Sequence, residues 1–235
     1  MCYQLLMRPF WIGPALVGVL TSAIASCGHT PARAPSATPT KSAPASGVAV
    51  NPANIKRVVR NLPSGYEVTT GIPSAASPRV IWSLGDDLQA KPAKCGTLAD
   101  PGNGRDQSAQ GVSGSGSGGI VGAVVVALPG PVDFPEDLVT SCAQWSETAG
   151  RNLEHVHRTD APHIDGVDTV GMVADVKSSV ESGTEIDSRT YTFTAYLGNY
   201  YAFTTLTTDP GSALPVLPPQ FAADLLAKTV STLRS

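Results

Sequence analysis

The amino-acid sequence predicts an α+β fold, in which three helices pack against an antiparallel sheet and one disulfide ties the chain. Apolar residues recur at helical spacing after Asn51 and again after Pro218. Across residues 190–197, apolar and aromatic residues alternate with threonines, and Gly198-Asn199 then supplies a tight turn into a returning strand at residues 200–208, which is the pattern of a β-hairpin. Helices at both ends and strands between them favour an antiparallel sheet covered by helices.

Three helices are expected along the chain. The first begins with Asn51 as N-cap and Pro52 in the first turn, and it ends near Leu62. The third begins at Pro218 and runs to Leu233. The second is expected from Pro135 to Gly150, because one helical face would carry the residues Leu138, Cys142, Trp145 and Ala149.

Short apolar or alternating segments predict the strands. Outside the hairpin these segments are Tyr66–Thr70, Arg79–Trp82, Ile120–Leu128, Leu153–His157 and Val170–Val176. Residues 99–119 are polar and rich in Gly and Ser, which predicts a long loop. Gly114, Gly116 and Gly119 match GxGxxG, but they precede a strand instead of opening a helix, so the sequence predicts no nucleotide cofactor.

The charge of the chain argues against a nucleic-acid partner. Charged residues make up only 15% of the sequence. Residues 1–26 contain one basic residue, Arg8, and no acidic one, so the remainder has 15 basic and 19 acidic residues and a net charge of −4. This balance gives no electrostatic footprint for nucleic acid and no polybasic patch for anionic lipid.

The N-terminus predicts an exported, lipid-anchored protein. An apolar run from Phe10 to Ala25 has the length of a signal-peptide core and is shorter than a membrane-spanning helix. It ends in Ile24-Ala25-Ser26-Cys27, which resembles the bacterial lipobox, in which the cysteine thiol receives a diacylglycerol that carries acyl chains such as palmitate. Residues 1–26 are thus expected to be a lipoprotein signal peptide, beginning at Met1 or Met7, and Cys27 the lipidation site. The alternative is an ordinary secretory signal.

A stalk is expected to join the anchor to the domain. Residues 27–47 are rich in Ser, Thr and Pro, and they lack the large apolar residues that build a core. The stalk is either a bare tether or a glycosylated one. Residues 48–235 are expected to form a single extracytoplasmic α+β domain on the outer face of the cell membrane.

The cysteines of the domain predict one structural disulfide. Cys95 and Cys142 are the only two left after Cys27, and an exported compartment permits their oxidation. Neither lies in a CxxC motif, which a redox site would favour.

Candidate site residues are few. His155 and His157 lie near His163 and three aspartates, which makes the two strand histidines weak candidates for metal binding; the alternative is a polar strand surface. The three aspartates are Asp160, Asp165 and Asp168. A groove for ligand binding is a further candidate, lined by Thr190, Thr192 and Thr194 on the polar face of the hairpin.

Several segments together carry a family resemblance. They are the lipobox, the stalk, the segment NLPSGYEV (61–68), the loop from Pro92 to Cys95 and the segment bearing Cys142. They resemble mycobacterial lipoproteins of uncharacterised function, and the layout is similar to the extracellular sensor domains of mycobacterial serine/threonine kinases. The resemblance implies a disulfide-tied helix against an antiparallel sheet, and it supplies no catalytic residues. The sensor domains have two disulfides, whereas this chain has cysteines for one.

These observations favour a non-catalytic ligand-binding or sensor-like module of the cell envelope, with a small hydrophobic molecule as candidate ligand. A second hypothesis is an accessory protein that docks on another envelope protein. A third is a hydrolase, which requires a Ser or Asp beside His155, His157 or His163. An exposed apolar patch would favour docking, and a deep pocket would favour ligand binding.

Overall fold

A computed structural model describes residues 49–72, 76–82, 88–179, 185–209 and 213–235. Within these ranges nine strands form one sheet: β1 (Glu67–Thr70), β2 (Gln89–Lys91), β3 (Ser108–Gly116), β4 (Gly119–Ala127), β5 (Gln144–Ala149), β6 (Asn152–Thr159), β7 (Thr169–Ser179), β8 (Glu185–Tyr196) and β9 (Tyr200–Thr208). The described residues also form five helices: the 3-10 helices η1 (Pro52–Asn61) and η2 (Ala93–Leu98), and the α-helices α1 (Pro78–Ile81), α2 (Glu136–Ser141) and α3 (Pro219–Leu233). The predicted signal peptide, Cys27 and stalk lie outside the described residues.

The strands follow the order β1-β3-β4-β9-β8-β7-β6-β5-β2, and every neighbouring pair is antiparallel. From β5 to β9 each strand pairs with the next along the chain, so this part is a meander. The β3–β4 hairpin then adds to β9, and the short strands β1 and β2 form the two edges. The predicted antiparallel sheet is therefore confirmed.

One face of the sheet, here called the helix face, is covered by η1 and α3. Helix α3 packs on β8, β9 and β4, and η1 packs on β3, β4 and α3. Leu226 and Leu233 of α3 and Ile55 and Val58 of η1 are buried there. Asn51 caps η1, since its side chain accepts a hydrogen bond from the N–H of Ala53 at 3.1 Å. The first and third predicted helices are thereby confirmed, although the first is a 3-10 helix.

The opposite face, here called the disulfide face, is covered by α1, η2 and α2. A bond between Cys95 in η2 and Cys142 at the end of α2 joins two of these helices, with 5.7 Å between the Cα atoms. The predicted disulfide is therefore confirmed. Trp82, Leu98 and Trp145 are buried beneath this cover, in a core that continues along β4, β6 and β7.

The prediction of three helices is wrong, because the described residues contain five. Residues Arg79–Trp82 were expected to be a strand, but Pro78 opens the short helix α1 instead. Its position suits a helix start, since proline there sacrifices no hydrogen bond. The helix ends at Ile81, and the next residue, Trp82, has a buried indole that needs a polar partner within the core.

The prediction of one helix from Pro135 to Gly150 is also wrong. Helix α2 ends at Ser141, and residues Gln144–Ala149 form β5. Trp145 and Ala149 lie four residues apart, which fits both a helical face and one side of a strand. Glu147 lies between them on that same side and is buried as well, which only a strand allows.

The predicted loop over residues 99–119 is corrected in its second half, which forms β3 and the turn into β4. The glycines there make room for Tyr66: a Cβ at Gly116 would lie 2.5 Å from its ring, and a Cβ at Gly118 would lie 2.6 Å from its hydroxyl. The segment is therefore rich in glycine because a strand and turn pack closely against Tyr66, and not because it is a loop.

Candidate functional site

The helix face is not covered along its whole width. Beyond β8, towards β2, the strands carry exposed or half-buried polar side chains on this face. In β6 the alternation is clear, because His155 and His157 are exposed here whereas Glu154 and Val156 are buried on the disulfide face. We call this part of the sheet the open surface. The two histidines lie on the same side of β6, as the alternation of a strand requires.

A row of polar side chains crosses the open surface. The strand register places Lys91 opposite Ser146, Ser146 opposite His155, His155 opposite Asp175, and Asp175 opposite Arg189. Directly opposed residues have Cβ atoms about 4.5–5.5 Å apart. We call these five residues the cross-strand row. It spans β2, β5, β6, β7 and β8 and joins residues that lie up to 98 positions apart.

Two clefts flank the row, with His155 in the lining of both. The first has a volume of about 400 Å³ and is lined by seven residues of β2, β5 and β6. Five of them are polar, namely Lys91, Gln144, Ser146, His155 and His157, and the other two are Trp145 and Val156. We call it the lysine–histidine cleft. The second, of about 250 Å³, lies on the other side of His155 and contains Asp175, Lys177, Asp187 and Arg189. Both clefts are open to solvent, so they suit a ligand that stays partly exposed.

The row contains a Ser, a His and an Asp on three adjacent strands, which are the residue types of a hydrolytic triad. However, Arg189 Nε donates a hydrogen bond to Asp175 Oδ1 at 2.6 Å, so this carboxylate already has a cationic partner. Among the described residues, no hydrogen bond joins His155 to Ser146 or to Asp175. Ser146 lies within strand ladders on both sides, so the backbone around it is engaged in pairing and offers no preformed oxyanion hole. In the part of the chain that the structure describes, these three side chains therefore form no preassembled triad.

Opposite the open surface, on the disulfide face, two carboxyl groups are buried side by side. Glu147 of β5 and Glu154 of β6 are directly opposed and have no exposed surface. Trp145 Nε1 donates a hydrogen bond to Glu147 Oε1 at 2.7 Å. Within the described part of the chain, the other oxygen of Glu147 and both oxygens of Glu154 have no hydrogen-bond partner.

Burial changes the ionisation of this pair. Desolvation, with a smaller contribution from the neighbouring Glu147, raises the pKa of Glu154 to about 9. Desolvation also raises the pKa of Glu147, although the hydrogen bond from Trp145 and the charge of Arg79 oppose the shift. Glu154 is therefore protonated at neutral pH, which avoids a buried charge without a partner.

The predicted ligand groove along the threonines of β8 is wrong. Thr190, Thr192 and Thr194 are buried under the disulfide face. Trp82 Nε1 donates a hydrogen bond to the Thr192 hydroxyl at 3.0 Å, and the Thr190 hydroxyl lies 2.9 Å from that of Thr207. These polar side chains face inward because short helices and Trp82 cover them, which the alternation along β8 does not reveal.

The loop between β6 and β7 contains the third histidine and the aspartates that the sequence placed near His155 and His157. His163 and Asp165 form an exposed pair with 3.3 Å between Nε2 and Oδ1. Within the described ranges, no group of three His, Cys, Asp or Glu side chains is placed to hold a metal ion. His155 and His157, which were singled out in the sequence, lie together in the lysine–histidine cleft.

Four members of the cross-strand row were missed in the sequence: Lys91, Ser146, Asp175 and Arg189. No motif joins them, and only the register of five strands brings them together. The alternation in β7 and β8 was visible, but it does not say which residues lie opposite each other.

A separate apolar patch lies on the disulfide face, beyond its helical cover. A cleft of about 420 Å³ is lined there by ends of β4, β8 and β9 and by residues that precede α3. Ile120, Ile186, Leu214 and Val216 line this cleft, and each is about half exposed. We call these four residues the apolar patch.

The described residues include no helix that is both long and apolar enough to cross a membrane. A family model described as a domain of unknown function (DUF5642) matches residues 51–234. No curated protein matches the chain.

The solved structures that are similar to it include the following two. One is an uncharacterised protein of Mycobacterium smegmatis, the Rv0999 ortholog, at 18% identity over 79% of this chain and 98% of that chain, with a TM-score of 0.58. The other is the extracellular domain of PknH from Mycobacterium tuberculosis, at 13% identity over 79% of this chain and 92% of that chain, with a TM-score of 0.45. Both are mycobacterial proteins, as the resemblance in the sequence predicted. The first likeness shows a common fold.

Proposed function

The chain belongs to the family described as a domain of unknown function (DUF5642), and for this member we propose a non-catalytic binding module of the cell envelope that takes its ligand on the open surface. The observation that carries the proposal is the cross-strand row. Five polar side chains stand on one rigid sheet, flanked by two clefts, where neither η1 nor α3 covers the strands. A rigid sheet holds such groups in place before a ligand arrives, which lowers the entropic cost of binding.

The chemistry of the open surface favours a polar ligand over a small hydrophobic one. The lysine–histidine cleft is lined by an ammonium group, a hydroxyl, an amide and two imidazoles. A hydrophobic ligand would leave these groups without hydrogen bonds, which costs free energy. Because the cleft is open, the ligand is expected to be part of a larger molecule, such as a sugar or a headgroup at the cell surface.

The proposal places the module outside the cell, anchored at Cys27 to the outer face of the membrane. The lipobox and the Ser/Thr/Pro-rich stalk support this location. Mass spectrometry of the membrane fraction is expected to find an acylated Cys27 as the N-terminal residue. A Cys27→Ala protein is the control and should be lost from the membrane fraction. Recovery of soluble wild-type protein with a different N-terminus would refute the anchor.

The binding role is tested with the purified full-length protein by nuclear magnetic resonance. Titration with inorganic phosphate, acetate, maltose and a tetra-alanine peptide should shift the resonances of the cross-strand row for at least one probe. The protein should not hydrolyse a phosphate ester, an acetate ester, maltose or the tetra-alanine peptide. If none of them shifts the row, the binding surface is refuted; hydrolysis that is abolished by Ser146→Ala or His155→Ala would instead make the protein an enzyme.

The apolar patch favours a second candidate function, an accessory protein that docks on another envelope protein. Exposed apolar clusters of this kind mark protein interfaces. A photoreactive amino acid in place of Ile186 should then cross-link to one identified envelope protein in intact cells, whereas the same amino acid in place of His157 should not. Equal cross-linking from both positions would contradict docking through the patch.

A further inference from the structure

We infer that the lysine–histidine cleft binds a phosphate group, as a phosphate ester or a phosphodiester. This inference rests on the proposed function and names its ligand class. It comes from the charge and the spacing of the residues that line the cleft.

The charge of the cleft is opposite to that of the protein. Seven residues line it, and none is an Asp or a Glu, although the whole chain has a net charge of −3. Lys91 supplies a fixed positive charge, and His155 and His157 supply imidazole groups that gain positive charge when they bind a proton. The nearest acidic member of the cross-strand row, Asp175, is neutralised by Arg189 at 2.6 Å. An anion therefore meets no unpaired carboxylate in the row.

The carboxyl groups on the other side of the same strands do not cancel this charge. Glu147 and Glu154 neighbour Ser146 and His155 in the chain, but they point to the disulfide face. Glu154 is protonated at neutral pH because burial raises its pKa to about 9. The buried pair thus carries less negative charge than its composition suggests.

The spacing of the donors suits a tetrahedral anion. Lys91, Ser146 and His155 lie directly opposite one another on three adjacent strands, and each can donate a hydrogen bond. A phosphate ester offers three oxygens to such a group of donors, whereas a carboxylate offers two. His157 and Gln144 form a second opposed pair two residues along, where the rest of a phosphorylated ligand can make contact.

The test uses the full-length protein in a neutral detergent, with nuclear magnetic resonance as the readout. Inorganic phosphate and glycerol phosphate are titrated at constant ionic strength, and acetate and maltose serve as comparison ligands. Both phosphates should shift the resonances of Ser146 and His155, and acetate and maltose should bind at least tenfold more weakly. Lys91→Gln should weaken phosphate binding about tenfold, because it removes one charge-assisted hydrogen bond.

Lys228→Gln is the matched control, since it removes the same charge from an exposed position on α3, and it should leave the affinity unchanged. Nanodiscs of phosphatidylcholine with and without phosphatidylglycerol distinguish a lipid headgroup from a free phosphate ester. Shifts at Ser146 that appear only with phosphatidylglycerol indicate a headgroup, and shifts with glycerol phosphate alone indicate a soluble ester.

Three outcomes would overturn the inference. Acetate or maltose that binds this cleft as tightly as phosphate would refute the phosphate class and leave the proposed function standing. Equal phosphate affinity in Lys91→Gln and the wild type would show that the anion binds elsewhere. If no ligand, nanodiscs included, shifts any resonance of the cross-strand row, both the inference and the proposed function are refuted.

Discussion

Strands β5 and β6 present two chemically different surfaces built from alternate residues. On the disulfide face, Glu147 and Glu154 are buried side by side and hold carboxyl groups away from water. On the helix face, Ser146 and His155 are opposed in the same way, but they line an open cleft. The difference comes from what covers each side: disulfide-linked helices on one, solvent on the other. We expect the polar residues on the covered side to affect stability, and we propose that those on the open side bind a ligand.

The largest expected effect concerns the cover of the disulfide face. Replacing both cysteines, Cys95→Ala with Cys142→Ala, should lower the free energy of unfolding by about 4 kcal/mol, because the bond closes a long loop in the unfolded chain. The two cysteines are 47 residues apart. Urea unfolding at neutral pH measures the change. A loss below about 1 kcal/mol would mean that the cover holds without the bond.

The second effect concerns the buried carboxyl pair and has a defined sign. Between about pH 5 and pH 9, Glu154 is ionised in the unfolded chain but protonated in the folded protein, because folding raises the pKa of this residue to about 9. Folding therefore takes up a proton, and the free energy of unfolding falls as the pH rises, by about 1.4 kcal/mol per pH unit for one such group. The stability is fully present below the unfolded pKa and is lost as the pH approaches 9.

Glu154→Gln sharpens this test, because glutamine cannot ionise. Between pH 5 and pH 8 the variant should gain about 4 kcal/mol of stability relative to the wild type, and below about pH 4.5 the two proteins should have the same pH dependence. Urea unfolding at several pH values measures both proteins, with Glu185→Gln, an exposed position, as the control. Parallel pH profiles for wild type and variant would mean that Glu154 is already ionised in the folded state.

The third effect concerns a buried threonine that the sequence assigned to a groove. Thr192→Val keeps the shape of the side chain and removes the acceptor for Trp82 Nε1. The variant should lose about 1–2 kcal/mol of stability, since the indole N–H is then buried without a partner. Thermal unfolding compares it with Thr159→Val, a half-buried threonine at the end of β6. Equal stability to the wild type would show that Trp82 finds another acceptor.

The sequence predicted the parts of the fold whose local pattern has one interpretation. The β8–β9 hairpin follows from alternation around Gly198-Asn199, and α3 from its helical face. Segments with two interpretations were assigned wrongly. Trp145 and Ala149 fit a helix and a strand equally, and glycine-rich β3 was hidden because its packing against Tyr66 is a tertiary contact.

The site was less predictable than the fold. The sequence indicated that His155 and His157 lie on one side of a strand. The other residues that line their cleft come from β2 and β5, which the sequence did not place beside them. Strand register depends on turns and core packing along the whole meander, which local pattern does not determine. Burial of Thr192 likewise depends on Trp82, a residue 110 positions away.

The smallest expected effect on stability belongs to the open surface. His155→Gln should change the free energy of unfolding by less than about 0.5 kcal/mol, because the side chain is exposed and makes no hydrogen bond within the described residues. Urea unfolding measures it. A loss of about 2 kcal/mol or more would mean that the row serves stability, as the opposite face does.

The most direct test of the division between the two faces measures phosphate affinity and unfolding free energy on the same pair of variants. His155→Gln should weaken phosphate binding about tenfold, through loss of a donor that can carry charge, and should leave stability and its pH dependence unchanged. Glu154→Gln should change stability and its pH dependence and leave phosphate affinity within about twofold. If His155→Gln keeps full affinity, or if Glu154→Gln loses as much affinity as His155→Gln, the two faces of β6 do not divide stability from binding.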